Sequence, residues 1–119
     1  MVVLMRALIS MVLVMMLAVV TRGQAPDAKI VRVSAERFAY TPAEITVEKG
    51  TVVEFHLTSE DTDHGFRIIG TEVNAEIPKR RRGETVVRYT ADTAGRFIIE
   101  CSRPCGAGHT AMRATLVVK

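Results

Sequence analysis

Residues 101–112 of this 119-residue chain read Cys101-Ser102-Arg103-Pro104-Cys105-Gly106-Ala107-Gly108-His109-Thr110-Ala111-Met112. Two Cys, one His and one Met fall within these twelve residues, although the whole chain from Gly23 onward holds only two Cys, three His and one Met. Pro104, Gly106 and Gly108 interrupt regular secondary structure, so a tight irregular loop is expected here. We expect a strand on each side, and a loop held by two strands can gather its side chains around one point.

The donor atoms of this loop favour copper. Thiolate and thioether sulfur suit copper(I), and imidazole nitrogen suits both copper oxidation states. A further imidazole, His64, lies in the segment Asp61-Thr62-Asp63-His64-Gly65. In a β-sandwich this second loop can lie at the same end as the first, so His64 is a candidate ligand.

Other uses of these residues remain open at this point. Cys101 and Cys105 could form a disulfide in an exported protein, and two Cys with two His are a common zinc set. Zinc would leave Met112 without a role, and a mononuclear blue-copper site, built from two His, one Cys and a Met, would leave one thiol without a role. Two copper ions that share both thiolates use every donor.

Preceding these residues, the chain predicts short β-strands separated by turns. Thr51 to Thr58 shows the pattern best, since Val53, Phe55 and Leu57 alternate with the polar Glu54 and His56. We interpret His56 as a structural residue on the polar face. The predicted strands are residues 29–34, 38–40, 44–48, 51–58, 66–69, 85–89, 96–100 and 114–118. Seven or eight strands at this spacing, with almost no helix, indicate an all-β sandwich.

The first 25 residues have a different composition. Ala7 to Val20 is an apolar run of 14 residues interrupted only by Ser10 and preceded by Arg6. This pattern predicts a signal peptide or an N-terminal membrane anchor over residues 1–25. Residues 26–119 then form one domain on the extracytoplasmic side, in the periplasm or on the outer face of the membrane.

Charge gives little support to a nucleic-acid partner. From Gly23 onward there are 14 Lys and Arg against 13 Asp and Glu, so the overall charge of +3 falls to about +1. Four of the cations form the run Lys79-Arg80-Arg81-Arg82. We interpret this run as a solvated hairpin loop, with a docking surface for an acidic redox partner or anionic lipid as the alternative.

The pattern Cys-x3-Cys-Gly-x2-His-x2-Met, with Asp-x2-His upstream, resembles the CuA-binding domain of cytochrome c oxidase subunit II over roughly Lys29 to Lys119. The resemblance implies a Greek-key cupredoxin sandwich that holds two copper ions. It implies that both ions are bridged by Cys101 and Cys105. The remaining implied ligands are His64 and Met112 on one copper, and His109 and the main-chain carbonyl of Arg103 on the other.

The function that this resemblance implies is one-electron transfer with a redox partner such as a cytochrome c, as the electron-entry subunit of an oxidase-like complex. The domain is not expected to be an enzyme on its own. Two departures favour the alternative of a periplasmic copper store or copper donor. Arg103 stands where the family usually has a Glu that helps to bind magnesium, and the chain has no Trp, whereas the family has a Trp-containing surface for electron entry.

Overall fold

The computed structural model describes residues 27–119, and the segment predicted as a signal peptide or anchor lies outside the described residues. A single 3₁₀ turn, His109–Ala111, accompanies the strands, and none of the helical structure in residues 27–119 has the length to cross a membrane. The nine strands are β1 Lys29–Glu36, β2 Ala39–Thr41, β3 Glu44–Val47, β4 Val52–Ser59, β5 His64–Ile68, β6 Asn74–Ile77, β7 Thr85–Thr90, β8 Gly95–Glu100 and β9 Arg113–Val118.

These strands form two sheets. The order is β2-β1-β4-β7 in the four-stranded sheet and β3-β9-β8-β5-β6 in the five-stranded sheet. β1 runs parallel to β4 and β3 runs parallel to β9, while the other pairs are antiparallel. The prediction of an all-β sandwich is therefore confirmed.

The core lies between the two sheets because most inward-facing strand positions carry apolar side chains. On β4, Val53, Phe55 and Leu57 are fully buried, as their alternation with polar residues predicts. The ring of Phe55 packs against Phe66 from the opposite sheet, with the ring centroids 5.2 Å apart. The other fully or almost fully buried side chains of this core include Val33, Ile68, Ile77, Ile99 and Leu116.

One strand was missed by the sequence pattern. β6 has only four residues, Asn74–Ile77, and only Ile77 among them is fully buried. A short edge strand next to β5 has little alternation to reveal it, and it raises the strand number from the expected seven or eight to nine.

The strand directions bring several loops to the same end of the sandwich. β5 is antiparallel to β8, so the start of β5 lies beside the end of β8. β6 is antiparallel to β5 and pairs Ile77 with His64, so the turn after β6 begins at this end too. The loop from Cys101 to Met112, the loop before His64 and the turn after Ile77 are therefore neighbours.

Candidate metal centre

Cys101 and Cys105 lie at the centre of the loop between β8 and β9. Both thiols are free and buried, and their Sγ atoms are 3.5 Å apart. The main-chain N–H of Cys101 donates to the carbonyl of Met112 at 3.3 Å, which closes the loop where it leaves the sheet. The sulfur atoms are thus held close together by a loop whose two ends are fixed to each other.

His109 and Met112 approach the same sulfur from the last part of the loop. His109 Nδ1 lies 3.7 Å and Met112 Sδ lies 3.9 Å from Cys105 Sγ. The 3₁₀ turn positions them, because the N–H of His109 donates to the Gly106 carbonyl and the N–H of Met112 donates to the His109 carbonyl. Met112 is completely buried, whereas His109 is partly exposed.

His64 reaches the thiols from the other loop. Its ring is fully buried and offers a nitrogen within 4.8 Å of both sulfur atoms. Nε2 is hydrogen-bonded to Asp61 Oδ1 at 2.6 Å, while Nδ1 is buried without a hydrogen-bond partner among the described residues. A buried polar nitrogen without a partner is costly, and a metal ion would satisfy it.

The main chain of Arg103 contributes an oxygen at the same place. Its carbonyl accepts a hydrogen bond from the Cys101 thiol at 3.0 Å. The Arg103 side chain points elsewhere, since its guanidinium is exposed and forms an ion pair with Glu76 of β6. The carbonyl can therefore serve a metal ion whatever the side chain at this position.

Gly65 allows the two loops to approach each other. A Cβ atom at this position would lie 2.2 Å from Ser102 Oγ, 2.5 Å from the main-chain nitrogen of Ser102 and 2.8 Å from that of Arg103. Without a side chain, Gly65 donates its N–H to Cys101 Sγ at 3.3 Å and accepts a hydrogen bond of 2.5 Å from the buried Tyr40 hydroxyl. Gly65 thus links β2, β5 and the cysteine loop.

Phe38 and Arg37, between β1 and β2, hold the outer part of the loop. The Phe38 ring lies on Gly106 and Gly108, where a Cβ at Gly108 would come within 2.4 Å of a ring carbon. The Arg37 side chain donates from Nε to the Cys105 carbonyl at 2.9 Å. These contacts fix the loop from the solvent side.

Burial and hydrogen bonding set the protonation of two groups in this cluster. Desolvation opposes ionisation of Asp61, but hydrogen bonds from the Arg37 N–H, the His64 ring and the Thr62 N–H outweigh it and lower the Asp61 pKa to about 2. Desolvation, followed by the hydrogen bond with the Cys101 thiol, raises the Cys105 pKa to about 11. The carboxylate is therefore ionised at neutral pH, while the Cys105 thiol keeps its proton until a metal ion displaces it.

All six residues that the sequence identifies as candidate ligands lie around this point, and their chemistry fits copper. Two thiols, a thioether, two imidazoles and a carbonyl form a set in which the soft sulfur donors dominate. His56 takes no part, because its ring nitrogens are bonded to Glu54 and Glu84 on the surface of the four-stranded sheet. This arrangement agrees with the structural role expected for His56.

Some of the residues that support the site were not identified from the sequence. Tyr40, Gly65 and Phe38 act through contacts between distant segments, which no local pattern reveals. Asp61 was visible in the Asp-x2-His spacing, and this spacing was the available signal for its hydrogen bond to His64.

Comparison with known proteins gives one family and several relatives. A family model described as a cupredoxin-like domain matches residues 9–118. The chain is 42% identical over 103 residues to a cytochrome c oxidase subunit 2 of Thermus thermophilus, a match that covers 86% of this chain and 73% of the relative. A second, longer subunit 2 of the same species is also 42% identical, and the match covers 58% of its length.

Solved structures share the fold at lower identity. The periplasmic domain of subunit II of cytochrome oxidase from Bradyrhizobium japonicum superimposes with a TM-score of 0.69 at 18% identity, covering 81% of this chain and 88% of that domain. Auracyanin A, a blue copper protein from Chloroflexus aurantiacus, gives a TM-score of 0.64 at 16% identity, covering 78% of this chain and 100% of that protein. An oxidase subunit II domain and a blue copper protein share this sandwich. The fold alone therefore does not determine the number of metal ions, and the donor set has to be used for that purpose.

Proposed function

The chain belongs to the cytochrome c oxidase subunit II family and carries the family's copper-binding cupredoxin domain; from this premise we propose that it is an electron-transfer protein with a dinuclear CuA centre. The observation that carries the proposal is the pair of free, buried thiols 3.5 Å apart. Two sulfur atoms side by side can bridge two metal ions, whereas a mononuclear cupredoxin site needs one thiolate.

The family resemblance implies how the donors would be divided between the two ions. Cys101 and Cys105 would hold both ions. His64 Nδ1 and Met112 would serve one ion, and His109 with the Arg103 carbonyl would serve the other. Support comes from the unpartnered Nδ1 of His64 and from the distances of His109 and Met112 to Cys105 Sγ.

When bound, the copper pair supplies a single redox centre over which one electron is delocalised. The residues around it keep the donors in place during the change of charge. Asp61 holds the His64 ring through Nε2 and leaves Nδ1 available. The N–H of Gly65 donates to Cys101 Sγ, and burial of Cys101, Cys105 and Met112 excludes water from the sulfur atoms.

Location and partners are part of the same proposal. We place the domain on the extracytoplasmic side, in the periplasm or on the outer face of the membrane. In this proposal the apolar segment within residues 1–25 either directs export or anchors the domain. The similar domain from Bradyrhizobium japonicum is periplasmic by description, which agrees with this placement. The proposed partners are a cytochrome c or another small redox protein, and the other subunits of an oxidase.

A periplasmic copper store or donor is the second candidate. The observation that favours it is Arg103, whose guanidinium pairs with Glu76 in place of a carboxylate that could hold magnesium. A donor must release copper(I) to an acceptor, whereas an electron-transfer centre must retain it through many redox cycles. Competition with a copper(I) chelator, followed during repeated oxidation and reduction, separates the two functions.

Reconstitution with copper tests the proposed centre directly. We expect two copper ions per chain, intense thiolate-to-copper absorption and an EPR spectrum that shows coupling to both copper nuclei. His64→Gln should abolish this spectrum, and the matched variant His56→Gln should retain it because His56 lies on the outer sheet surface. One copper per chain, or an unaltered spectrum in His64→Gln, would contradict the proposal.

A further inference from the structure

We propose that the turn Lys79–Arg82, between β6 and β7, is a docking surface for a redox protein with an acidic face. We call Lys79, Arg80, Arg81 and Arg82 the basic turn. The inference rests on the proposed function, since a docking surface for electron transfer needs a redox centre behind it. It replaces the interpretation of this run as a solvated hairpin loop with the alternative of a docking surface.

The basic turn is exposed and its charges are not neutralised by ion pairs. All four side chains face solvent. Its backbone is closed by a hydrogen bond from the Arg82 N–H to the Lys79 carbonyl, and Arg81 has a φ of 65° at the tip. Among residues 27–119, the ion pairs within 4.0 Å involve other side chains, and none involves the basic turn.

Hydrogen bonds hold the basic turn beside the metal centre. The Lys79 N–H donates to Asp63 Oδ1 at 2.7 Å, and the Arg80 N–H donates to the Asp61 carbonyl at 3.1 Å. Asp61 and Asp63 belong to the loop that ends at His64, a proposed copper ligand. The backbone of the basic turn is therefore fixed at Lys79 and Arg80 to the segment that carries His64.

The carboxylates nearest to the basic turn take part in hydrogen bonds with other groups. Asp61 accepts hydrogen bonds from Arg37 N–H, Thr62 N–H and His64, and both it and Asp63 are partly buried. Glu84 is bonded to His56. Glu60 is exposed, and it accepts a hydrogen bond from Ser34 at 3.3 Å. The side-chain charges of the basic turn therefore have no ion-pair partner among residues 27–119, whereas these neighbouring carboxylates are already hydrogen-bonded.

An exposed aromatic ring lies at the same end of the domain. Phe38 is 37% exposed, and its ring rests on Gly106 and Gly108 of the cysteine loop. Arg37 links Phe38 to the same loop that holds the basic turn, because its N–H donates to Asp61 Oδ2 at 2.8 Å. A small apolar contact near a cluster of cations suits a short-lived redox complex, in which charge complementarity accelerates association.

The placement favours a protein over a lipid surface as the occupant. A cationic turn that only attracts anionic lipid has no need to be tied to the His64 loop. Docking of a redox partner requires this attachment, because electron transfer requires the partner's redox group to come close to the copper centre. The partner that fits is a small haem or copper protein with carboxylates around its exposed redox group.

Charge-neutralising variants of the copper-loaded full chain test this inference. Arg80→Gln/Arg82→Gln removes two charges from the basic turn. Lys49→Gln/Lys119→Gln removes two charges elsewhere, at the turn between β3 and β4 where the Lys49 N–H donates to the Lys119 carbonyl.

The probes are ferrous cytochrome b5, whose haem edge is ringed by carboxylates, and ferrous mitochondrial cytochrome c, whose haem edge is ringed by lysines. In each reaction one electron passes from the ferrous haem to the oxidised copper centre, followed by stopped-flow absorbance.

We expect Arg80→Gln/Arg82→Gln to lower the second-order rate constant with cytochrome b5 about tenfold at low ionic strength. The difference should disappear near 0.5 M salt, where screening extends over only about 4 Å. The Lys49→Gln/Lys119→Gln control should change this rate less than twofold, and the reaction with cytochrome c should not slow in the basic-turn variant. Equal effects of the two double variants with cytochrome b5 would overturn the inference.

A binding measurement separates this inference from the proposed function. Metal-free protein and its variants are passed over immobilised cytochrome b5, and vesicles of phosphatidylglycerol and phosphatidylcholine provide a parallel surface. The expected result is salt-sensitive binding to cytochrome b5 that is lost only in the basic-turn variant. This result would support the docking surface even if the chain fails to take up two copper ions. Loss of vesicle binding without any change towards cytochrome b5 would overturn the inference in favour of a lipid surface. A two-copper centre whose partner binding is indifferent to the basic turn would overturn it while leaving the proposed function intact.

Discussion

Gly65→Ala should damage the metal centre more than its size suggests. The added Cβ would lie 2.2 Å from Ser102 Oγ, 2.5 Å from the Ser102 nitrogen and 2.8 Å from the Arg103 nitrogen. The Ser102 hydroxyl can rotate away, but the two main-chain nitrogens cannot. The cysteine loop must therefore move away from β5, and the hydrogen bond from the Gly65 N–H to Cys101 Sγ is strained or lost.

The size of the effect follows from the overpacking. Forcing one methyl group into a filled space costs about 1–3 kcal/mol. In a domain of this length each kcal/mol lowers the melting temperature by about 4–8 °C, so a fall of roughly 5–20 °C is expected for metal-free Gly65→Ala. Displacement of the loop also separates Cys101 from His64, and copper affinity should fall with it.

Thermal unfolding by circular dichroism and copper titration measure the two effects. Gly50→Ala is the matched control, since Gly50 has a φ of +90° and its Cβ would have no atom within 4 Å. Strain at this φ should cost about 1–2 kcal/mol, while copper binding stays unchanged because Gly50 lies in the turn between β3 and β4. The close-approach reasoning is refuted if Gly65→Ala keeps its melting temperature within about 3 °C and binds copper like the unmodified protein.

Three further predictions concern the ligands and Asp61. Cys101→Ser and Cys105→Ser should each destroy the dinuclear spectrum, because one sulfur cannot bridge as two do; a spectrum like that of the unmodified protein would contradict the bridging. Met112→Leu should retain two copper ions and mainly shift the reduction potential, since an axial thioether bonds weakly, so loss of copper in metal analysis would count against a weak ligand. In metal-free protein, Asp61→Asn should reduce the free energy of unfolding above about pH 4, and the deficit should shrink towards pH 2, because a carboxyl whose pKa is lowered on folding stabilises only while it is ionised. Urea unfolding at several pH values measures this deficit, and a deficit that grows on acidification would reverse the assigned sign.

The sequence predicted most of the sandwich because its strands alternate clearly. Val53, Phe55 and Leu57 reveal β4, and the interruption by Pro104, Gly106 and Gly108 correctly predicts a loop before the last strand. β6 was missed, since four residues with one fully buried side chain give no periodic signal. Alternation reports which side of a strand is buried, and it becomes uninformative in segments this short.

The clustering of the candidate donor residues was predictable for a different reason. Cys, His and Met are rare in the domain, so their clustering is visible without any three-dimensional information. The supporting contacts were not predictable, because Tyr40, Gly65 and Phe38 are ordinary residues at ordinary positions. Their roles arise only when β2, β5 and the cysteine loop come within a few ångströms of one another, which depends on the whole sandwich.

The buried hydrogen bonds around His64 have a consequence for the order of assembly. Asp61 and Gly65 hold the His64 ring and the Cys101 thiol in position through hydrogen bonds that the protein itself supplies. We therefore expect the chain to fold before metallation, unlike a small zinc domain that acquires its shape from the ion. Copper insertion would then be the last step of maturation, and the neighbouring sulfur atoms would have to stay reduced between folding and insertion.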